Sequence, residues 1–438
     1  MPSRSELYAN TLSKLVRKET ISFEGQTDKT KFYEFQTLLR ETFPHIFAAC
    51  TAEDFNGSLL LLWKGKTDKD PLLLMHHHDV VEAQGEWKYP PFAGTIAENK
   101  VWGRGALDTK GGLWAMLTAA DELAREGFVP DRDIYFESAC NEETDGAGAD
   151  AISRELWHRG IHFYMTLDEG GMMMREPIAG ATGVYAMVGV GEKGCADLKF
   201  IARSAGGHAS TPGKNTPLVR LGKFMADAES SGIFKVALPD VIAEMFRRLS
   251  PGIDGALGKI LAKPEKFRLL LKTAMPAVSA TAGAMLKTTL AFTMAQGSEG
   301  YNVLPQEAYV TGNMRFSHHQ GGQASIAAVT KLAKKYDIET EVLDPGFESA
   351  VSDYNSDAFK LVESAVAELF PGVITTPYIM TGASDSRFFS RVSDNCLRFA
   401  PFLIDDQQLE SIHGLNENVD ISALEGAVDF YKYIIREV

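Results

Sequence analysis

Apolar residues fall along this chain in two textures. From about Leu59 to Glu169, short continuous apolar runs alternate with stretches of helical period. LLLLW (Leu59 to Trp63) and LLLM (Leu72 to Met75) read as neighbouring strands, with KGKTDKDP as the turn between them. After Asp108, the residues Leu113, Met116, Leu117, Ala120 and Leu123 recur at the spacing of one helix face, and Gly127 with Pro130 ends that helix. DIYFESA then reads as a strand, AGADAISRELWHRG as a helix with Ile152 and Leu156 inward, and IHFYMTL as a further strand. Strands alternating with helices in this way predict an α/β domain.

Around Val184 the pattern changes. GVYAMVGVGEKGCADLKFIARS reads as longer alternating strands, followed by a helix near Thr216 to Ser230 and a helical, Lys- and Met-containing stretch from about Pro239 to Leu286. Strands resume at TTLAFTMAQ and AYVTGNMRFS. The block 186–318 therefore reads as a second, α+β domain inserted into the first, which comprises 1–185 and 319–438. A chain of 438 residues is too long for one comfortable core, which agrees with that division.

Composition narrows the function classes. Hydrophobic residues at 45% and charged residues at 23% describe an ordinary soluble globular protein. A net charge of −14 argues against nucleic acid or an anionic membrane as partner, since both would repel the chain at long range. No apolar run is long enough to span a bilayer, and MPSRSELYANTLSKLVRKET lacks the apolar core of a signal peptide. Cys50, Cys140, Cys195 and Cys396 show no CxxC spacing and read as free thiols of a reducing compartment, so a cytoplasmic protein is expected.

The polar clusters HHHD, CNEE and LDEG each stand where an apolar strand run stops, the edge of an α/β sheet at which ligands sit. If LLLMHHHDV ends a strand, alternation puts His77 and Asp79 on one side and His76 and His78 on the other. A histidine with a carboxylate two residues on is a metal ligand with its orienting partner, although a solvated polar strand end has the same pattern. GRGALDTKGG is not a nucleotide loop, because Asp108 stands where GxGxxG needs its third glycine and no GxxxxGK[ST] exists. Asp108 at a helix start is a ligand or an ordinary N-cap. Glu142 and Glu143 are adjacent at a strand end, where one carboxylate binds metal and the other moves protons, or else both are solvated. Asp168 or Glu169 ends another strand, and His413 in SIHGLNENV is a distant candidate ligand. Histidines and carboxylates without cysteine suit zinc, or manganese or cobalt, in a two-metal hydrolytic site. A serine hydrolase is disfavoured: around Ser204 and Ser384 the GxSxG elbow is incomplete.

Taken in order, HHHDVV, WKYPPFAGTI with VWGRGALDTKGG, CNEETDGAGA, LDEGG, GGHASTP, YNVLPQEA with NMR, and IHGLNENV resemble the M20 family of metallopeptidases and aminoacylases. The likeness is to its carboxypeptidase S and aminoacylase-like members and runs along nearly the whole chain. The resemblance implies a zinc-peptidase-like catalytic domain with a mixed sheet flanked by helices, plus an inserted α+β lid or dimerisation domain. It implies two divalent ions, zinc first, with His77 a ligand oriented by Asp79 and Asp108 bridging both, held by a strained bond to Thr109. Glu142 would be the general base, and Glu143 and His413 ligands, with Glu169 preferred over Asp168 as the remaining one. In the lid, His208 matches the histidine that stabilises the oxyanion, in many members across a homodimer, while Asn302 and Arg315 match positions that hold a substrate carboxylate. His76 and His78 are left to packing or solvent contact. The stretch from about Phe234 to Leu286 is longer than the simplest lids have, which bears on the dimer contact.

The expectation is a cytoplasmic metallohydrolase acting on a small peptide or an N-acyl amino acid. A deacetylase or decarbamoylase of a small metabolite would share the chemistry, and a dead binding protein would share only the scaffold.

Overall fold

The structure is a computed structural model that describes residues 3–278 and 280–438. It adopts the expected α/β class: a helix-flanked mixed sheet and a second, antiparallel one. The large sheet runs in the order Cys50–Phe55, Ser58–Trp63, Ile134–Ser138, Leu72–Met75, Met165–Asp168, Cys396–Arg398, Val184–Glu192, Met173–Arg175 and Leu403–Ile404, and Ile374–Met380 also pairs with Val184–Glu192. Its centre is parallel, since Leu72–Met75 pairs in parallel with both Ile134–Ser138 and Met165–Asp168, and the last with Cys396–Arg398.

Leu72–Met75 reads as an unbroken apolar run because both faces of the sheet are covered. Leu72 and Leu74 pack into the main core with Trp114, Met116 and Tyr431, while Leu73 and Met75 face the smaller core of Ile152, Leu156 and Phe163. The helix Lys110–Arg125 follows the predicted stripe, with Leu113, Met116, Leu117, Ala120 and Leu123 all buried. It stops where Gly127 takes φ +77°. The helix Ala147–His158 buries Ile152 and Leu156 as expected.

Three expectations are corrected. Ser58–Trp63 and Leu72–Met75 are not neighbours, because Ile134–Ser138 lies between them, antiparallel to the first and parallel to the second. The eight-residue connection between them is long enough to pass one strand spacing of about 4.8 Å on each side. The strand expected over IHFYMTL begins only at Met165, since before it Tyr164 donates its N–H to Pro71 and Phe163 makes an isolated bridge to Ser393. The packing also departs from a division at 186 and 318. Val184–Glu192 belongs to the large sheet, and the helices Asp240–Leu249, Arg268–Val278 and Ala280–Leu286 place Ile242, Phe246, Leu271 and Leu286 in its core.

The second sheet runs Thr289–Gln296, Glu307–Phe316, Gly194–Arg203 and Glu339–Asp344. The helices Pro217–Ser230 and Gly322–Lys334 cover it, joining Phe224, Val329 and Leu332 to Leu198 and Phe200. Helical period shows which face of Gly322–Lys334 is apolar, but not which sheet receives it. The chain changes sheets at Lys193, whose buried ammonium donates to Ala284 O (2.9 Å), Lys287 O (3.0 Å) and Thr289 Oγ1 (3.2 Å).

Candidate metal centre

The parallel strands Leu72–Met75, Ile134–Ser138 and Met165–Asp168 end side by side, with Met75 in register with Glu137 and Leu74 with Leu167. The residues that follow each strand therefore meet above one edge of the sheet. His77 is buried, its Nδ1 at 3.3 Å from Asp79 Oδ1 and its Nε2 at 3.1 Å from Asp108 Oδ1. With Asp79 taking the Nδ1 proton, Nε2 is the free donor atom. Asp79 also accepts the backbone N–H of Glu142 at Oδ1 (3.1 Å) and of Glu143 at Oδ2 (3.1 Å), and the Ser22 hydroxyl at Oδ2 (2.7 Å).

Asp108 faces two ways. Its Oδ1 meets His77, while its Oδ2 is 3.0 Å from His413 Nε2, and that nitrogen is 2.9 Å from Glu143 Oε2. The peptide bond from Asp108 to Thr109 is cis. Donor atoms of His77, Asp108 and Glu143 lie within 4.8 Å of one another. Glu143 Oε1 is buried with no hydrogen-bond partner, an expensive state for a carboxylate oxygen that a cation would relieve. His413 takes φ +57°, a left-handed conformation costing about 1–3 kcal/mol for a non-glycine residue, and such strain is met at functional sites.

The electrostatics fit a missing positive charge. Burial and the Asp108 charge push Glu143 up to about 7. His413 is raised to about 10 by its hydrogen bonds to Asp108 and Glu143. Burial would lower the His77 imidazole, but the Asp108 and Asp79 carboxylates outweigh it and hold it well above its ordinary value. Burial likewise opposes ionisation of Asp108, yet the bonds to His413 and His77 keep it below the usual carboxylate range. Imidazoles that gather protons among carboxylates occupy the place a divalent ion would take. The donor set of imidazole and carboxylate, without thiolate, suits such an ion.

Glu142 stands apart from this group. Its Oε2 is 4.0 Å from His77 Nε2, its Oε1 is 3.6 Å from the Arg387 guanidinium, and burial pushes it up to about 8. Asp168 spends its two oxygens on the backbone N–H groups of Glu169 and Ser386, both at 2.8 Å. The Glu169 carboxylate has no such bond among the described residues, and burial with the nearby Asp108 charge raises it well above the usual range. His76 and His78 are taken up in packing: His76 joins Thr109 Oγ1 (2.9 Å) to the Tyr431 hydroxyl (2.6 Å), and His78 stacks on Phe35.

The second unit's candidates are divided. Arg315 lines a cavity of about 870 Å³ together with Glu142, Glu143, Lys193 and Arg387. His208 and Asn302 are exposed, on a small ribbon where His208 pairs with Val303 and bonds Ser210, and none of their described contacts reaches the metal centre. Two residues were missed by sequence reasoning. Glu417 is fully buried and accepts from Arg104 (2.7 Å) and from the N–H groups of Gly105, Leu107 and Asp108, so it fixes the loop that carries Asp108. The only sequence signal was its position four residues after His413 in HGLNE. Arg387 lies in TGASDSRFF, Thr381 to Phe389, a segment that resembles the family's substrate-side loop without marking out this arginine.

A mixed sheet whose parallel strand ends present this set of imidazoles and carboxylates, beside a smaller antiparallel unit, is the arrangement of a metallohydrolase. The chain belongs to Peptidase family M20/M25/M40, whose profile it matches over residues 73–437. It is 30% identical to Probable carboxypeptidase S-like 2 of Dictyostelium discoideum, over 98% of this chain and 84% of the relative. It is 28% identical to the N-fatty-acyl-amino acid synthase/hydrolase PM20D1 of Homo sapiens, over 95% of this chain and 85% of the relative. Its fold superposes on the M20 family metallo-carboxypeptidase Sso-CP2 from Sulfolobus solfataricus with a TM-score of 0.73, at 16% identity and with 98% of each chain covered. The protein is thus an M20 metallohydrolase of peptide or other amide bonds.

Proposed function

We propose that this enzyme cleaves an amide bond next to a free carboxylate, in a peptide or an N-acyl amino acid, using two zinc ions held by His77, Asp108, Glu143, Glu169 and His413. The observation that carries the reading is the division of labour around Asp108: its two oxygens serve two histidines, while Glu142 stands aside with a raised pKa. Bound divalent ions supply Lewis-acid polarisation of the carbonyl and make the attacking water more acidic.

Glu142 takes the proton of that water and returns it to the leaving amine. A carboxylate raised toward neutrality suits both halves of the task. Arg387 neutralises Glu142 from one side, and Arg315 stands in the wall of the same cavity, among carboxylates that include Glu192 and Asp344, as a guanidinium fork for a substrate carboxylate. His208, exposed on the second unit, serves the site of a partner copy in a homodimer and helps hold the oxyanion there, while Asn302 helps hold the substrate carboxylate. The four unpaired cysteines support action in the cytoplasm.

The test is hydrolysis of a panel of dipeptides and N-acyl amino acids by the purified protein, read by mass spectrometry before and after chelation. Zinc should restore what the chelator removes, and activity that survives complete metal removal would refute the reading. Glu142→Ala should lower kcat by about 10²–10⁴ while the metal content stays unchanged.

A further inference from the structure

The chain as a whole carries a net charge of −14, yet one stretch of it runs the other way. Between Gly255 and Lys272 stand five cationic side chains, Lys259, Lys263, Lys266, Arg268 and Lys272, against a single carboxylate, Glu265. Glu265 is spent on Arg247, and Arg268 is spent on Asp240. Among the described residues the four lysines have no ion-pair partner, and Lys259, Lys263 and Lys266 are exposed. Cations left unpaired in so acidic a protein are a surface waiting for an anion.

The same stretch exposes leucines. The helix Gly255–Leu261 leaves Leu257 39% exposed, and Arg268–Val278 leaves Leu269 77% and Leu270 46% exposed. Lys266, Leu269, Leu270 and Thr273, all exposed, recur at the i, i+3, i+4 and i+7 spacing of one helix face. On the other side Leu271 and Met275 are buried in the core of the large sheet, as Leu261 is. Both helices are thus anchored in one core by their inner residues and turn their outer ones away from it. A single exposed leucine is ordinary, but consecutive ones among unpaired lysines unite an apolar attraction with an ionic one.

A lipid surface answers both attractions, because leucines can enter the boundary between headgroups and acyl chains while ammonium groups meet anionic headgroups. A nucleic acid would satisfy the lysines and leave the leucines in water. A second copy in a two-fold contact would set lysine against lysine. At physiological ionic strength charges are screened beyond about 8 Å, so an approaching surface reads this stretch and not the charge of the whole chain. We propose that the face bearing Lys259, Lys266, Leu269 and Leu270 docks the enzyme on an anionic lipid bilayer, against the expectation set by the net charge. The contact is peripheral, since no described helix is long and apolar enough to cross a membrane. Each lysine near the surface strengthens binding about fivefold, the equivalent of about 1 kcal/mol.

The experiment sediments the purified protein with vesicles of phosphatidylcholine, alone or mixed with phosphatidylserine, at low and at high salt, and reads the bound fraction. The wild type should bind the mixed vesicles, leave them as salt rises, and ignore the neutral ones. Lys259→Glu with Lys266→Glu, and separately Leu269→Ser with Leu270→Ser, should each weaken binding by about tenfold or more. Lys331→Glu with Lys334→Glu, on the exposed side of Gly322–Lys334, should leave it unchanged. All six side chains are exposed, and an unchanged urea midpoint checks that each variant is folded. Equal loss in the Lys331 and Lys334 variant would overturn the local face. Binding kept by the leucine variant would overturn the bilayer in favour of a purely ionic contact with some other polyanion. No binding of the wild type to mixed vesicles would overturn the proposal outright. None of these readouts uses catalysis, so the amide-hydrolase reading stands or falls separately.

Discussion

Asp79 serves four neighbours: the ring of His77, the Ser22 hydroxyl and the backbone N–H groups of Glu142 and Glu143. An amide cannot accept on both of its terminal atoms, so Asp79→Asn should turn one of these N–H contacts into a clash of donors. Metal affinity should fall about 10–100-fold, and a metal titration that found it unchanged would remove Asp79 from the orienting role. Glu417 acts at one remove, accepting four donors around the Asp108 loop. Glu417→Ala strands Arg104 in the interior and should cost about 3–5 kcal/mol in chemical denaturation. The two residues differ in how openly the sequence shows them. Asp79 stands two places from a histidine at a strand end, a local relation that alternation exposes. Glu417 is defined by a contact more than three hundred residues away in the chain, which no local pattern encodes. Arg387 was hidden for the same reason.

Within the elements, the apolar pattern was a sound guide to what forms and a poor one to what lies beside it. Leu72–Met75, Lys110–Arg125 and Ala147–His158 all formed where runs and stripes placed them. Their neighbours depend on long-range pairing, and the passage of Ile134–Ser138 between two strands expected to touch is the clearest case. The helix Ala147–His158 begins four residues after Glu143 and packs Ile152 and Leu156 against Leu73 and Met75 under the metal edge. Ile152→Ala should cost about 2–5 kcal/mol of stability, measured by urea unfolding, from lost burial and the cavity left behind. With metal bound, that loss should show in the unfolding midpoint before it shows in kcat, because the ligands themselves are untouched. The helix Gly322–Lys334 shows the limit again: it packs on the smaller antiparallel sheet, a destination that an apolar stripe does not encode.

For the whole molecule, the cavity draws groups from both sheets, Glu142 from one and Arg315 from the other, and on the proposed mechanism the reaction uses both. If His208 completes a partner's site, His208→Ala and Glu142→Ala subunits, each inactive alone, should recover activity when unfolded and refolded together. Random pairing makes half the dimers mixed, each with one intact site of two, so about a quarter of wild-type activity is expected. No recovery would place His208 within its own chain's site or outside the reaction altogether. The order of the ligands along the chain has a consequence for biosynthesis. The strand ends that bear His77, Asp108, Glu143 and Glu169 emerge early, and domains fold as they are made. His413 and Glu417 lie in the last stretch before the closing helix Ile421–Glu437. On the proposed ligand set, a nascent chain carries a cluster of carboxylates without the imidazole and the buttress that complete it, and the metal is locked in only after His413 and Glu417 have emerged. Full occupancy of the site then reports that synthesis has passed Glu417.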